Sequence, residues 1–435
     1  MFTAFSTALS ALDANTTAID VVSNNLANLN TTGYKASVVS FQDLVTESIG
    51  AGLGATQVGF GTGTPFTVRE FSQGATQASS GLLDGAIQGD GFFIVKDVVT
   101  GAQDFTRAGN FQVDDSGYLV TQAAQRVQGW APDASGTVNT NQPIGDIPVP
   151  VGTLKAPIAS TTFSVNLNLN STGVVGQATG TFSTPINVVD SLGNTHTLTL
   201  TFTKEAPSDA NNDSNTTWDY TVTMPDADLT TPQTVPLATG TLVFGANGSL
   251  ATPDPTSPDV KFTIPTLADG AVIGDQSANP PANDMTWSLY DSTGVARITQ
   301  YNATSAPSAT AVNGSAAASL TNVALADGGK IVASYSNGTQ VVVGQLALAS
   351  IRNPQSLIAI GNNAFQASAA TALPSIGLPD SGGRGKVLGG SLESSTVDIA
   401  KEFTNLIVFQ RAYQVNARVV TTVDQISQDT VNLKQ

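Results

Sequence analysis

The run 397-VDIAKEFTNLIVFQRAYQVNARVVTTVDQISQDTVNL-433 contains neither proline nor glycine. Ile399, Phe403, Leu406, Gln410, Tyr413, Ala417, Val420, Asp424 and Ser427 recur in it at steps of three and four, the spacing of a coiled-coil seam. The C-terminal part of that seam is polar. Val408, Val415, Val419, Ile426 and Leu433 fall on other faces, so the helix needs more than one neighbour. Asp398 and Glu402 stand in its first turns, where the helix dipole favours negative charge.

The opposite end carries the same spacing. Phe2, Phe5, Leu9, Leu12, Thr16, Ile19, Ser23 and Leu26 step by three and four, with Thr16 and Ser23 weakening the seam. Asp13 and Asp20 are the charged residues of this stretch, and its other faces are Ala, Ser, Thr and Asn. A helix so poor in charge expects cover on several sides. The run 23-SNNLANLNTTGYK-35 ends it with turn-forming Asn and Gly. Ordering a long helix costs more than its apolar side chains return against a single neighbour. The two ends are therefore expected to pair, to be disordered in a lone monomer and to become helical in an assembly.

Between the ends the pattern is β. Alternating runs such as 91-GFFIV-95, 196-HTLTLTF-202, 218-WDYTVTM-224 and 341-VVVGQLAL-348 are punctuated by Asp84-Gly85, Asp90-Gly91, Ser116-Gly117, Asn247-Gly248, Asp327-Gly328 and Asn337-Gly338. Pro-rich stretches at 143–157 and 278–281 mark junctions, 208-SDANNDSNTTWDY-220 reads as a solvent-facing loop, and 377-GLPDSGGRGKVLGG-390 reads as a flexible link.

Composition excludes several classes. The chain has 435 residues, enough for two or three domains, and only 11% are charged, against roughly 25% in ordinary soluble proteins. Its net charge of −16 is spread without an acidic run, which disfavours nucleic acid and anionic membranes as partners. There is no cysteine, hence no disulfide, no thiol chemistry and no Cys-based metal site. With one histidine, His196, a His-rich metal site is excluded and any Ser-His-Asp triad would have to use that residue. No catalytic residue, cofactor or metal ligand is expected. Residues 1–34 lack Lys and Arg, and no apolar run of about 18 residues occurs, so neither a cleaved Sec signal nor membrane insertion is expected.

Tempting local motifs have plainer readings. The loop 88-QGDGF-92 lacks phosphate-loop spacing and reads as a hairpin turn. Asp114, Asp115 and Asp133 lack the spacing of a calcium loop and read as turn residues. His196, near Asp190, reads as a half-buried strand residue. Trp130, Trp218 and Trp287 are too scattered for a sugar platform, which a secreted adhesive or carbohydrate-binding protein would need.

Three stretches resemble the rod and hook family of bacterial flagellar axial proteins. They are 23-SNNLANLNTTGYK-35, then 86-AIQGDGFFIV-95 with 105-FTRAGNFQVDDSGYLVTQAAQRVQGW-130, and last 390-GSLESSTVDIAKEFTNLIVFQRAYQVNARVVTTVDQISQDTVNL-433. Thr32, Val415 and Arg418 depart slightly from the family pattern. The stretches 182-FSTPINVVDSLGNTHTLTLTF-202 and 345-QLALASIRNPQSL-357 resemble the hook branch, whose members carry a large inserted β domain that rod subunits lack. The resemblance implies a mixed fold. N- and C-terminal α-helices pair as a coiled-coil-like domain, with two β-rich domains between them, the outer inserted in the inner. The expected divisions are 1–34 for the N-terminal helix and signature, 35–70 a linker, 71–157 with 306–376 the inner β domain, 158–305 the outer one, 377–396 a Gly-rich linker and 397–435 the C-terminal helix.

The resemblance also implies a homo-oligomeric, curved helical tube joining rod to filament and transmitting torque, outside the cell and attached to the basal body. Its implied partners are the flagellar rod, the hook cap, the hook–filament junction proteins and the flagellar type III export apparatus. A rod subunit is the alternative within the family. The residues expected at the assembly interface are Phe2, Phe5, Leu9, Leu12, Ile19, Asn24, Asn25, Leu26, Asn28, Gly33, Tyr34, Phe403, Leu406, Gln410, Arg411, Tyr413, Asn416 and Val420. For 24-NNLANLN-30 a plain helix C-cap and turn stands against this reading, and for Gln410, Arg411 and Tyr413 a mixed helix face.

Overall fold

The computed structural model describes residues 2–44, 46–49, 56–133, 137–206, 216–256, 259–275 and 282–432, with 2–3, 46–49 and 56–58 described by backbone alone. The chain forms two compact units. The first comprises Met1–Val151, Thr321–Ser334 and Gln340–Gln435, and the second Gly152–Leu320 with Tyr335–Thr339.

The first unit holds both long helices, α1 (Phe2–Ala27) and α2 (Ile399–Asn432). Its β part is built on the strand Phe92–Lys96, which pairs with Gln103–Thr106 and Arg126–Trp130. The expected alternation is replaced here by a continuous apolar run, for a physical reason. Phe93 and Val95 enter one core with Phe111, Val127 and Leu346, while Phe92 and Ile94 enter another with Phe105, Trp130 and Phe365. A strand covered on both faces has no polar side to show.

The second unit is made of two sheets packed face to face. One is a meander of Thr181–Val189, Thr195–Lys204, Thr216–Thr223, Ala238–Phe244 and Leu250–Thr252. The other centres on Thr162–Asn170, parallel to Asp284–Ser288 and Ile298–Tyr301 and antiparallel to Ala306–Val312. Trp287 of this sheet is stacked on Phe163, 6.0 Å between ring centres, and meets Tyr220 of the meander edge-on at 5.2 Å. Thr195–Lys204 shows the expected period of two, with Leu198, Leu200 and Phe202 inward.

Several expectations change. Thr216–Tyr220 are strand, not loop, and Trp218 is fully buried, because alternation continues back from Val222 into a polar-looking run; 208–215 lie outside the described residues. The junction at 278–281 also lies outside them. Ala306–Val312 pairs with Thr162–Asn170, so the inserted unit extends to Leu320 instead of ending at 305. The supposed flexible link is structured: Lys386–Gly389 pairs with Gly85–Gln88, and Ser391–Glu393 pairs with Thr76–Ala78. The 35–70 linker likewise pairs Ser37–Ser40 with Phe66–Arg69. Residues 88–92 do turn, with Gly89 and Gly91 at positive φ, but no hairpin forms, since Gly85–Gln88 and Phe92–Lys96 join different sheets. Of the Gly turns, Asn247-Gly248 links the paired strands Ala238–Phe244 and Leu250–Thr252, and Asn337-Gly338 links Lys330–Tyr335 to Gln340–Leu346.

Candidate assembly interface

The helices are tied to the β part by Asn25. Its Nδ2 donates to Ser37 O at 2.8 Å and to Glu402 Oε1 at 3.2 Å. Its Oδ1 accepts from Ser37 N at 3.0 Å and from the Tyr34 hydroxyl at 3.3 Å. One amide thus fastens α1, the strand after it and the first turns of α2. Asp398 caps α2, its Oδ1 accepting from Ala400 N at 2.8 Å and Lys401 N at 3.2 Å. Glu402, in the first turns of α2, points inward and is 5% exposed. Burial pushes its carboxyl above the usual range, and the charges of Glu70 and Asp398 add to this against the Asn25 hydrogen bond and Lys401.

Below this junction lies a buried ionic hub. Glu393 Oε1 accepts from Lys35 Nζ at 2.6 Å and Gly74 N at 2.8 Å, and its Oε2 from Arg107 Nη1 at 3.2 Å. Lys35 also reaches Ser72 O at 2.6 Å, and Arg107 reaches Gly89 O at 2.9 Å. All three charged side chains are buried. Burial lowers the pKa of Lys35, and the Glu393 carboxylate pulls it part of the way back. Gly33 donates its N–H to Glu393 O at 2.8 Å with φ +69; a Cβ there would lie 2.7 Å from Ala108 N.

From Asn25 and Glu402 the helices run antiparallel, and the faces that meet differ from those expected. On α1 the buried residues are Ala8, Ala14, Asn15, Ala18, Val22 and Asn25. On α2 Glu402 is buried and Asn405, Phe409, Ala412, Asn416, Val420 and Val423 are half-buried. Both seams sit mainly one residue before the expected ones. Small side chains let the backbones approach, and the seam amides are satisfied locally, Asn15 on Ala11 O at 2.6 Å and Asn416 on Ala412 O at 2.9 Å.

The larger apolar residues consequently face away. Phe5 and Leu9 are exposed, Leu9 at 54%, while Leu12, Ile19 and Leu26 are half-buried. Phe403 is 50% and Val415 60% exposed, and Ile399, Ile407, Val408, Tyr413, Val419, Ile426 and Val431 are also exposed. Gln410 and Arg411 are exposed, and Leu406, Asn416 and Val420 half-buried. The Phe2 side chain lies outside the described residues. Asn24 is exposed and Asn28 half-buried, whereas Asn25, Gly33 and Tyr34 are enclosed by this chain's own contacts. Asn28 and Asn30 line an open polar groove of about 600 Å³ together with Thr106, Gln122 and Asn363. Sequence reading missed Lys35, Arg107 and Glu393 altogether. Three charged residues in a chain that has few were the available signal.

Comparison with known proteins follows the same organisation. Residues 5–35 match the family described as flagella basal body rod protein, 86–182 the flagellar hook protein FlgE/F/G D1 domain, 166–315 the flagellar basal body protein FlaE D2 domain, and 388–433 the flagellar basal body rod FlgEFG protein C-terminal. The chain is similar to the flagellar hook protein FlgE of Salmonella typhimurium, 32% identical over 444 residues that cover 99% of this chain and 100% of the relative. It is likewise 32% identical to FlgE of Treponema pallidum over 467 residues, covering 98% of each. In fold it is similar to the crystal structure of the Helicobacter pylori flagellar hook protein FlgE2, with a TM-score of 0.51 and 15% identity, over 72% of this chain and 99% of that one. With helical ends, β units and full-length sequence similarity all in register, the chain belongs to the flagellar hook protein family.

Proposed function

We propose that this chain polymerises through the outward faces of α1 and α2 into the curved tube of the flagellar hook. The carrying observation is the exposed apolar surface of the two helices, with Leu9, Phe403, Ile407, Val408 and Val415 uncovered by this chain. Each such side chain is worth roughly 1.5–3 kcal/mol when fully buried, and contiguous exposure of this kind marks an association surface. The relatives are structural hook proteins, and the role is mechanical, not catalytic. The partners that fit a hook subunit are further copies of the chain, then rod, hook cap and hook–filament junction proteins at the ends of the tube, and the export apparatus during delivery.

The test is truncation. Deleting residues 1–28, or 400–435, should leave a soluble β core that forms no tubes in electron micrographs. Tubes from both truncated chains would overturn the mechanism. Micrographs of a strain lacking the gene separate hook from rod: loss of a hook subunit leaves a rod without its curved extension.

A further inference from the structure

The chain's single histidine lies in the second unit, and the fold surrounds it with carboxylates. His196 shares a strand face with Leu198 and Leu200, so its ring is carried inward and is 7% exposed. Its Nε2 lies 3.0 Å from Oδ2 of Asp190, which is fully buried at the start of the preceding turn. Its Nδ1 points at Asp228 Oδ2, 3.4 Å away, but is not aligned for a hydrogen bond and is a buried nitrogen with no hydrogen-bond partner. Asp269 approaches from the loop that follows the Leu229–Leu267 bridge. One ring nitrogen of His196 and carboxylate oxygens of Asp190 and Asp269 fall within 4.8 Å of one another. The amide of Asn194 bridges the two carboxylates, Nδ2 donating to Asp190 Oδ2 at 3.1 Å and Asp269 Oδ2 at 3.0 Å.

Among the described residues, no Lys or Arg forms an ion pair with Asp190, Asp228 or Asp269. Three carboxylates converge on one imidazole, and two N–H bonds of a neutral amide hold the nearer pair together. A cation placed between two carboxylates is attracted by both.

We propose that Asp190, His196 and Asp269 form a binding site for a divalent first-row transition ion of the Zn²⁺ class. One imidazole with two carboxylates suits Zn²⁺, Co²⁺ or Mn²⁺, whereas Ca²⁺ and Mg²⁺ favour all-oxygen sets. On binding, the Nε2 lone pair turns to the ion and the ring proton sits on Nδ1, 3.4 Å from Asp228 Oδ2, which a rotation of that carboxylate brings into line to accept it. That gives Nδ1 the partner it lacks and fixes the ring as a carboxylate–histidine–metal arrangement does. The Asn194 amide gives way from between the two carboxylates. Asp269 is exposed, which provides the route of entry. The ion would join the turn bearing Asp190 and His196 to the loop bearing Asp269, a cross-link in a chain without cysteine. Because the site exists only in the folded unit, occupancy raises stability with ion concentration.

The experiment titrates the full chain with ZnCl₂ and CoCl₂, following calorimetric heat, thermal unfolding and Co²⁺ visible absorption. One ion per chain is expected, with a Tm that climbs with ion concentration and Co²⁺ bands characteristic of a mixed nitrogen and oxygen ligand set. Asp269→Asn, at an exposed position that leaves the fold intact, should weaken binding by about tenfold or more. His196→Gln should remove the Tm rise and change the Co²⁺ bands. Absence of binding overturns the proposal, and so does binding that Asp269→Asn leaves unaltered, which would mark adventitious carboxylates elsewhere. If His196→Gln fails to fold, Asp269→Asn alone decides.

Discussion

Asn25 and Glu402 are 377 positions apart in the chain and 3.2 Å apart in space. The hydrogen bond between them sets the register of the two terminal helices. It also leaves a carboxylate inside the protein with a neutral amide as its partner, which ordinary salt-bridge logic would not choose.

That choice has a pH signature. The Glu402 carboxyl is raised above its usual range, chiefly by burial. A raised carboxyl favours the neutral form in the folded state. Its stabilising contribution is therefore complete below the unfolded pKa of about 4.3 and is lost as pH rises through the folded value. Glu402→Gln keeps the shape and removes the charge. The variant should match the parent in acid and exceed it in stability at neutral pH. Paired thermal melts followed by helical circular dichroism check this; a difference that does not change with pH would refute it.

Replacing Glu393 should have the opposite effect on stability. Its carboxylate neutralises Lys35 at 2.6 Å and Arg107 at 3.2 Å, all three being buried. Glu393→Gln leaves two buried cations without their counter-charge. Breaking a buried pair in this way costs about 3–5 kcal/mol. Denaturant titration should show a matching loss, and strand Ser391–Glu393 should lose protection from hydrogen exchange against Thr76–Ala78. A loss below about 1 kcal/mol, the scale of an exposed pair, would contradict the hub.

These two carboxylates show what was legible in the chain and what was not. Steps of three and four located both helices, and alternation located Thr195–Lys204. Periodicity leaves open which face of each helix pairs within the chain. Phe5, Leu9 and Phe403 form the most apolar stripe, yet the intrachain seam runs through Ala14, Ala18, Val22 and Asn25. In a subunit that assembles, the largest hydrophobes need not serve its own fold, so the strongest signal falls on the face proposed for association. Trp218 was missed because the polar run before it hides the start of a buried strand. The hub was missed because Lys35 and Glu393 are 358 positions apart and no local pattern links them.

The two faces of α1 should separate in experiment. Ala18 is fully buried, so Ala18→Leu overpacks the seam and should cost about 1–3 kcal/mol in the isolated chain. Leu9 is 54% exposed, so Leu9→Ser should change monomer stability by less than about 0.5 kcal/mol while suppressing tube formation. Phe403→Ser on α2 should act as Leu9→Ser does. Denaturant melts of the monomer and sedimentation of polymer from the same preparations test both claims. A Leu9→Ser chain that polymerises normally would remove this face from the interface.

The last turns of α2 lie beyond any support from α1. Counting equal numbers of residues down the antiparallel helices from Asn25 and Glu402 brings Phe2 level with Gln425. The helix continues to Asn432, and every residue from Asp424 to Asn432 is exposed, including the apolar Ile426 and Val431. A lone helical extension of two turns is not stable in water, so it needs a neighbour outside this chain. Removing residues 425–435 should therefore leave the monomer's stability within about 0.5 kcal/mol of the parent, because every described residue removed, Gln425 to Asn432, is exposed. The same deletion should raise the concentration needed for polymerisation. If the critical concentration is unchanged, the extension makes no contact between subunits, and the association surface ends where α1 begins.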